Sequence, residues 1–268
     1  MMTRQFRWHV SFLLLGLLIL FWTTPVVGHK IGKGYNNGPI WEIKTETNTV
    51  YLLGSIHALN TAYYPLTRGF YYAYYDSPNI VFEVDLDQVL SGKKSKQLKR
   101  KRNFATIRTS QNALLMKLDF EGKFGVDRHF YWKAKAVGKQ ILGLESVDYQ
   151  MNVLDDIILK SQKGMAGKNR EHAKQATRRL NQLLEAWHRG DEETLERMIE
   201  EEKATPEVYQ AVYHDRNLKW LPRIESFLGQ EENYLVIVGV GHLVGEDGLV
   251  KLLTDKGHTV RRMVYAIP

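Results

Sequence analysis

The chain contains no cysteine. That absence excludes disulfides, a lipid-modified cysteine, thiolate metal ligands and cysteine nucleophiles, so any metal has to be held by histidine or carboxylate. Proline is sparse, at 7 of 268 residues. Neither a low-complexity tract nor a short-period repeat interrupts the sequence, which excludes proline-rich spacers and solenoid arrays. The most apolar stretch, residues 10–21, is short of the roughly 20 residues a spanning helix wants. The net charge is +7, yet the modules of nucleic-acid readers are missing. The basic residues gather at Lys93, Lys94, Lys96, Lys99, Arg100, Lys101 and Arg102 without a zinc finger or RNA-recognition motif, so nucleic acid is not an expected partner. The stretch reads as a solvated helix face or mobile loop, with weak attraction to a membrane or anionic polysaccharide surface as the functional alternative.

What is present is ordinary globular material, 44% hydrophobic and 25% charged, enough for one large core. The first residues read as an address. Arg4 and Arg7 precede the apolar run 10–21, and Pro25-Val26-Val27-Gly28 supplies small residues at a cleavage point. Residues 1–28 are expected to act as a signal peptide, with an uncleaved anchor as the alternative, and residues 29–268 as a single domain. Either way the remainder is exported to the periplasm or outside the cell, with a net charge lowered to +5 by the loss of two arginines and no acid.

Partial alternation over 40–43 and the β-branched, aromatic run 49–53 predict two strands joined as a hairpin. A Tyr-rich helix over 66–75 follows, then short apolar strands over 79–84 and 140–144, each ending on acids. Residues 91–119 are expected to be helical and basic. Past Glu145 the pattern turns helical to about residue 203, with Gly190 as a break and Asp191 as an N-cap. Thr205-Pro206 opens a further helix. The chain closes with a strand over 234–238, a helix over 248–255 and a strand over 258–265. Strands alternating with helices predict an α/β sheet, with a helical insertion between Glu145 and Tyr234.

One long-range echo carries chemistry. Residues 49–57 and 234–242 share a plan: a buried-type strand, then Gly54-Ser55-Ile56-His57 or Gly239-Val240-Gly241-His242. A Gly-x-x-His spacing arises by chance on the order of once in such a chain. Two copies at the carboxyl ends of apolar strands are another matter, because that edge is where open α/β sheets bind ligands. Glu83 and Asp85 end one further strand and Glu145 another. Two imidazoles with carboxylates form the donor set of hydrolytic Zn, Mn or Co sites, with a spare carboxylate to deprotonate water. Each residue taken singly is as well explained by capping or ion pairing; the set together favours function. Arg216 lies in an aromatic stripe with Tyr209, Tyr213 and Trp220. A buried arginine there needs a carboxylate partner, in a structural or an oxyanion-stabilising role. His129, His172, His188, His214 and His258 have no matching partner and read as packing or solvent-facing residues.

These blocks occur in order with Phe82-Glu83-Val84-Asp85-Leu86, Gly125-Val126-Asp127, Gly143-Leu144-Glu145-Ser146 and Arg216-Asn217. Together they resemble the signatures of the TraB/GumN family, which is similar to the Tiki proteins and, more distantly, to the erythromycin-esterase and ChaN-like group. The resemblance implies a mixed central sheet flanked by helices. It also implies a metal-dependent, Tiki-like peptidase acting on a peptide or protein substrate. Carried over by motif, Glu83, Glu145 and Arg216 would be catalytic, and His57, His242, Glu83 and Glu145 would hold a divalent metal (Mn, Co or Zn). Which glutamate is ligand and which is base stays open. The competing expectation is an envelope protein that sequesters a peptide, haem or metal ligand without turnover.

Overall fold

The computed structural model describes residues 38–90, 121–162 and 170–264. The leader, the 93–102 basic cluster and the helix expected over 91–119 lie outside the described residues. Among the described residues no helix is long and apolar enough to cross a membrane.

The chain opens as a hairpin, β1 (Ile40–Lys44) and β2 (Thr49–Ser55), antiparallel with Ile40 opposite Leu53. Helix α1 (Arg68–Asp76) leads to β3 (Asn79–Val84), and a short α2 (Leu86–Leu90) follows. Helix α3 (Val126–Ala136) then leads to β4 (Gln140–Glu145). The helical insertion comprises α4 (Val147–Gln162), α5 (Arg170–Arg189), α6 (Glu192–Glu202), a four-residue α7 (Pro206–Tyr209), a π turn (Gln210–His214) and α8 (Asp215–Leu228). After it come β5 (Tyr234–Gly239), a short turn of helix (Val240–His242), α9 (Leu249–Asp255) and β6 (Val260–Arg262). Asp191 caps α6, its Oδ1 accepting from the Thr194 N–H at 3.0 Å, and Pro206 sits in the first turn of α7. Helix α3 was not expected from the sequence. Its first turn, Asp127-Arg128-His129, is polar, and what fixes it is the docking of its first N–H on the Ile56 carbonyl at 3.0 Å.

The six strands run in the order β4-β3-β5-β2-β1-β6. The first four are mutually parallel, while β1 runs against both β2 and β6. The sheet is therefore mixed. Tyr51 and Phe82 lie on one face, in edge contact with Tyr72 of α1 and Tyr131 of α3. Val50, Leu52, Val81 and Val236, on the alternate positions, are equally buried. The second face is thus also covered, and α8, which touches β2 and β4, spans it. Burial on both sides is why these strands read as near-continuous apolar runs.

The two Gly-x-x-His strands are direct neighbours, Gly54 pairing with Val238 and Ser55 with Gly239. From β3 the chain moves outward to β4, and from β5 it moves the other way toward β6. The carboxyl ends of β3 and β5 therefore flank a topological switch point, where open α/β sheets form their crevice.

The π turn has a packing reason. Val208, Val212, Arg216, Trp220, Ile224 and Leu228 are all buried at strict four-residue spacing. An α-helix turns once in 3.6 residues, so such a row drifts off one face unless a wider turn takes up part of the excess. The Arg216 Nη1 donates to the Val212 carbonyl inside that turn at 3.3 Å. Helix α5 is fastened differently: the buried Trp187 indole donates to the Gly54 carbonyl at 2.8 Å. Trp187→Phe removes that donor and is expected to cost about 1–3 kcal/mol, read as a lower urea midpoint with an unchanged slope.

Candidate functional site

Four side chains meet where β2, β3, β4 and β5 end. Glu83 bridges the switch point: its Oε1 accepts from the Gly239 N–H at 2.9 Å, and its Oε2 accepts from Arg216 Nη2 at 2.6 Å and from Gln150 Nε2 at 3.0 Å. The two imidazoles stand on either side of the first oxygen, His57 Nε2 at 3.9 Å and His242 Nε2 at 3.8 Å. Each ring has a side-chain oxygen behind its Nδ1. For His57 the partner is Asp127, whose Oδ1 lies 3.1 Å away. For His242 it is Asn217 Oδ1, at 2.7 Å. A metal-binding or catalytic histidine characteristically has its second nitrogen oriented this way.

Gly125 is what lets Asp127 arrive. A Cβ at that position would lie 2.3 Å from the His57 carbonyl oxygen, so only glycine allows α3 to start against the backbone of His57. Gly239 plays the complementary part at the centre. A Cβ there would stand 3.4 Å from Glu83 Oε1, 3.6 Å from His57 Nε2 and 3.7 Å from His242 Cδ2. The space over Gly239 is thus bounded by all three groups. The His57 and Asp127 side chains each keep 16% of their exposure, against 1% for Arg216 and none for Glu145. His57 and Asp127 are therefore the more exposed members of the group.

Arg216 lies behind these groups and holds the carboxylates apart. Its Nε and Nη2 donate to Glu145, its Nη2 also to Glu83, and its Nη1 to His242 Nε2 at 3.1 Å and to the Val212 carbonyl. A guanidinium has five N–H groups, and each has an acceptor here. Trp220 donates to Glu145 Oε2 at 2.9 Å while its ring lies under the guanidinium, 4.5 Å from it. Both oxygens of Glu145 are therefore occupied, and the cleft-facing carboxylate oxygen belongs to Glu83. Asp85 turns away, accepting from the Asp87 N–H and from Gln88 Nε2 at the start of α2.

Charge follows geometry. Burial works against ionising Glu83, but Arg216, then His242, His57 and the Gly239 N–H, outweigh it and lower its pKa to about 2. Burial raises Glu145 against the pull of Arg216; three N–H donors on its two oxygens are the arrangement of an ionised carboxylate. The imidazoles diverge. Burial would lower His57, but Asp127 and Glu83 raise it to about 9. Burial and then Arg216 lower His242 to about 3, against the pull of Glu83. Titratable pairs whose environments push them apart are a mark of acid–base sites.

The family resemblance implies a divalent metal at this edge. His57 Nε2, His242 Nε2 and Glu83 Oε1 are the right atom types, their rings are oriented from behind, and they enclose a space that one methyl group would fill. As they stand, however, no three or more His, Asp or Glu side chains among the described residues are placed so that they could hold a metal ion. Closing the set would require His57 to lose its proton, as metal binding ordinarily does, and Arg216 Nη1 to leave the lone pair of His242 Nε2. The three residues fit a divalent metal by donor type and not by their placement here. Glu145, with both oxygens taken by Arg216 and Trp220, stands outside the set.

All five residues singled out from the sequence thus lie at one sheet edge. Sequence reasoning missed Asp127, Gln150 and Asn217, although Gly125-Val126-Asp127 and Arg216-Asn217 stood out as blocks. Of the remaining histidines, His129 packs among Tyr64, Tyr71 and Phe130, His214 and His258 face carboxylates near the surface, and the His172 side chain lies outside the described residues.

The model of the TraB/PrgY/gumN family matches residues 39–121 and 91–262, a span that includes every strand of the sheet. No curated protein and no solved structure matches the chain.

Proposed function

Since the chain belongs to the TraB/PrgY/gumN family, we propose that its sheet-edge cleft is the active site of a metal-dependent hydrolase that works outside the cytoplasm on peptide bonds. One observation carries the reading: two imidazoles of opposite protonation tendency flank a single carboxylate oxygen over an open glycine. Export rests on the leader-like first 28 residues, and the peptide bond on family analogy.

His57, His242 and Glu83 are the residues that would hold the metal, which supplies Lewis-acid polarisation of a carbonyl and an ionised water at neutral pH. The protein's own groups do the rest. Asp127 orients His57, the more exposed of the two imidazoles. Glu83, kept ionised by Arg216, would give its Oε1 to the metal. Glu145 holds Arg216 in place. With every N–H of Arg216 engaged, its part is the field it exerts rather than a free donor for an oxyanion.

A binding protein that holds a peptide, haem or metal ligand without turnover is the second reading. The engagement of every Arg216 N–H inside the protein favours it, because no donor is left in reserve for a transition state. Metal content after dialysis, thermal stability and cleavage of a peptide library separate the two. Near-stoichiometric metal is expected in the parent and not in His57→Ala/His242→Ala. In the parent alone, Mn, Co or Zn at 100-fold over Kd should add roughly 2.7 kcal/mol. Metal and stabilisation without any cleavage would favour the binding protein. Metal unchanged in the double variant would sink the assignment of these ligands.

A further inference from the structure

We propose that Asn217 is a positioning residue of this cleft: it selects the tautomer of His242 and ties that ring to the loop carrying Asp247. The proposal deepens the functional reading above and rests on His242 being one of its working groups.

Asn217 follows Arg216 on α8 and is 1% exposed. Its Nδ2 donates to two carbonyls, that of Asp247 at 2.7 Å and that of His242 at 3.2 Å. Turning the amide over would set its oxygen against both carbonyl oxygens, so the network admits one orientation. Asn217 Oδ1 therefore faces His242 Nδ1, and at 2.7 Å from an acceptor that nitrogen has to carry a proton. On the opposite side of the ring Arg216 Nη1 approaches Nε2 at 3.1 Å. A guanidinium is always protonated and only donates, so Nε2 has to present its lone pair. Two partners on opposite edges of the imidazole dictate the same form, protonated at Nδ1 and bare at Nε2.

The ring faces add packing without polar partners. Trp220 lies 4.5 Å and Tyr213 5.3 Å from the imidazole, both tilted against it. Rotation of the ring by half a turn is therefore resisted sterically by two aromatics and chemically by Asn217 alone at Nδ1. The anchor of Asn217 is itself held. The Asp247 carboxylate accepts from Tyr209 at 2.7 Å and pairs with Lys203 at 3.4 Å. The amide thus joins α8, the loop after β5 and the ring. The nitrogen it leaves bare is the one that stands 3.8 Å from Glu83 Oε1.

The test is long-range proton–nitrogen spectroscopy of the full chain labelled at histidine, with His242 assigned by comparison with His242→Ala. The parent is expected to show His242 protonated at Nδ1 and unprotonated at Nε2. A protonated Nε2 would overturn the proposal whether or not the protein hydrolyses anything. In Asn217→Ala the Nδ1 proton loses its acceptor and Arg216 remains as the one selecting partner, so the Nδ1 shift should change and the two nitrogens should move part of the way toward an average. Turnover of whichever library peptide the parent cuts should then fall about 10- to 100-fold, with KM unchanged. A folded Asn217→Ala protein with parental His242 shifts and parental turnover would likewise overturn it. If the parent cuts no peptide, the hydrolase reading fails by itself, and the nitrogen shifts still decide the role of Asn217.

Discussion

Replacing Arg216 by methionine is expected to destabilise the protein by about 3–5 kcal/mol, enough to leave much of it insoluble. The side chain is 1% exposed and pairs at once with Glu83 at 2.6 Å and Glu145 at 2.8 Å. Without it two buried carboxylates face one another uncompensated, the Val212 carbonyl in the π turn loses a donor, and His242 Nε2 loses the N–H that faces it. Lysine should not rescue: a single ammonium on a flexible stem cannot reach five acceptors disposed around a plane. Adding Glu83→Gln and Glu145→Gln to Arg216→Met should recover part of the loss, since that removes the stranded charges. Urea denaturation of the four proteins reads this out. A cost below about 1 kcal/mol for Arg216→Met would mean that both carboxylates are neutral in the fold, against the donor geometry around them.

Gly239→Ala should do the opposite, sparing the fold and abolishing function. The backbone at Gly239, φ −51° and ψ 136°, suits any residue. Its Cβ would meet neighbours at 3.4–3.7 Å, which is ordinary contact, so stability should stay within about 1 kcal/mol. The neighbours are Glu83 Oε1, His57 Nε2 and His242. A methyl group among them takes the space in which those atoms would share a ligand or a reacting water, and misplacement of that order costs on the order of 100-fold in turnover. Metal retention is expected to fall together with turnover. Parental metal and activity in Gly239→Ala would show that the reacting space lies elsewhere.

The strands and the residues at their ends were legible because burial on both faces makes each strand a compact apolar run, and a polar residue at its close is conspicuous. His57, Glu83, Glu145 and His242 were found that way, and Arg216 through its aromatic neighbours. The partners that orient them were not. Asp127 reaches His57 because α3 docks through Gly125 onto the Ile56 carbonyl, and Asn217 reaches His242 because α8 packs against the loop after β5. Local spacing encodes neither docking event. The same holds for the allotment between the glutamates. Both end strands in the same manner, and what separates them is that Trp220 and Arg216 together occupy Glu145 while Glu83 keeps one oxygen on the cleft side.

The position of β5 has a consequence for assembly. It is the last long strand in sequence yet lies between β3 and β2, pairing Val50 with Tyr234 across most of the chain. Everything up to β4 can form a hairpin and a parallel pair, but these two halves have no edge in common until residues 234–239 arrive. Such long-range parallel pairing makes folding slow. A chain interrupted anywhere before β5 also lacks Gly239 and His242 and has no cleft at all, so completion of the sheet and completion of the site are a single event.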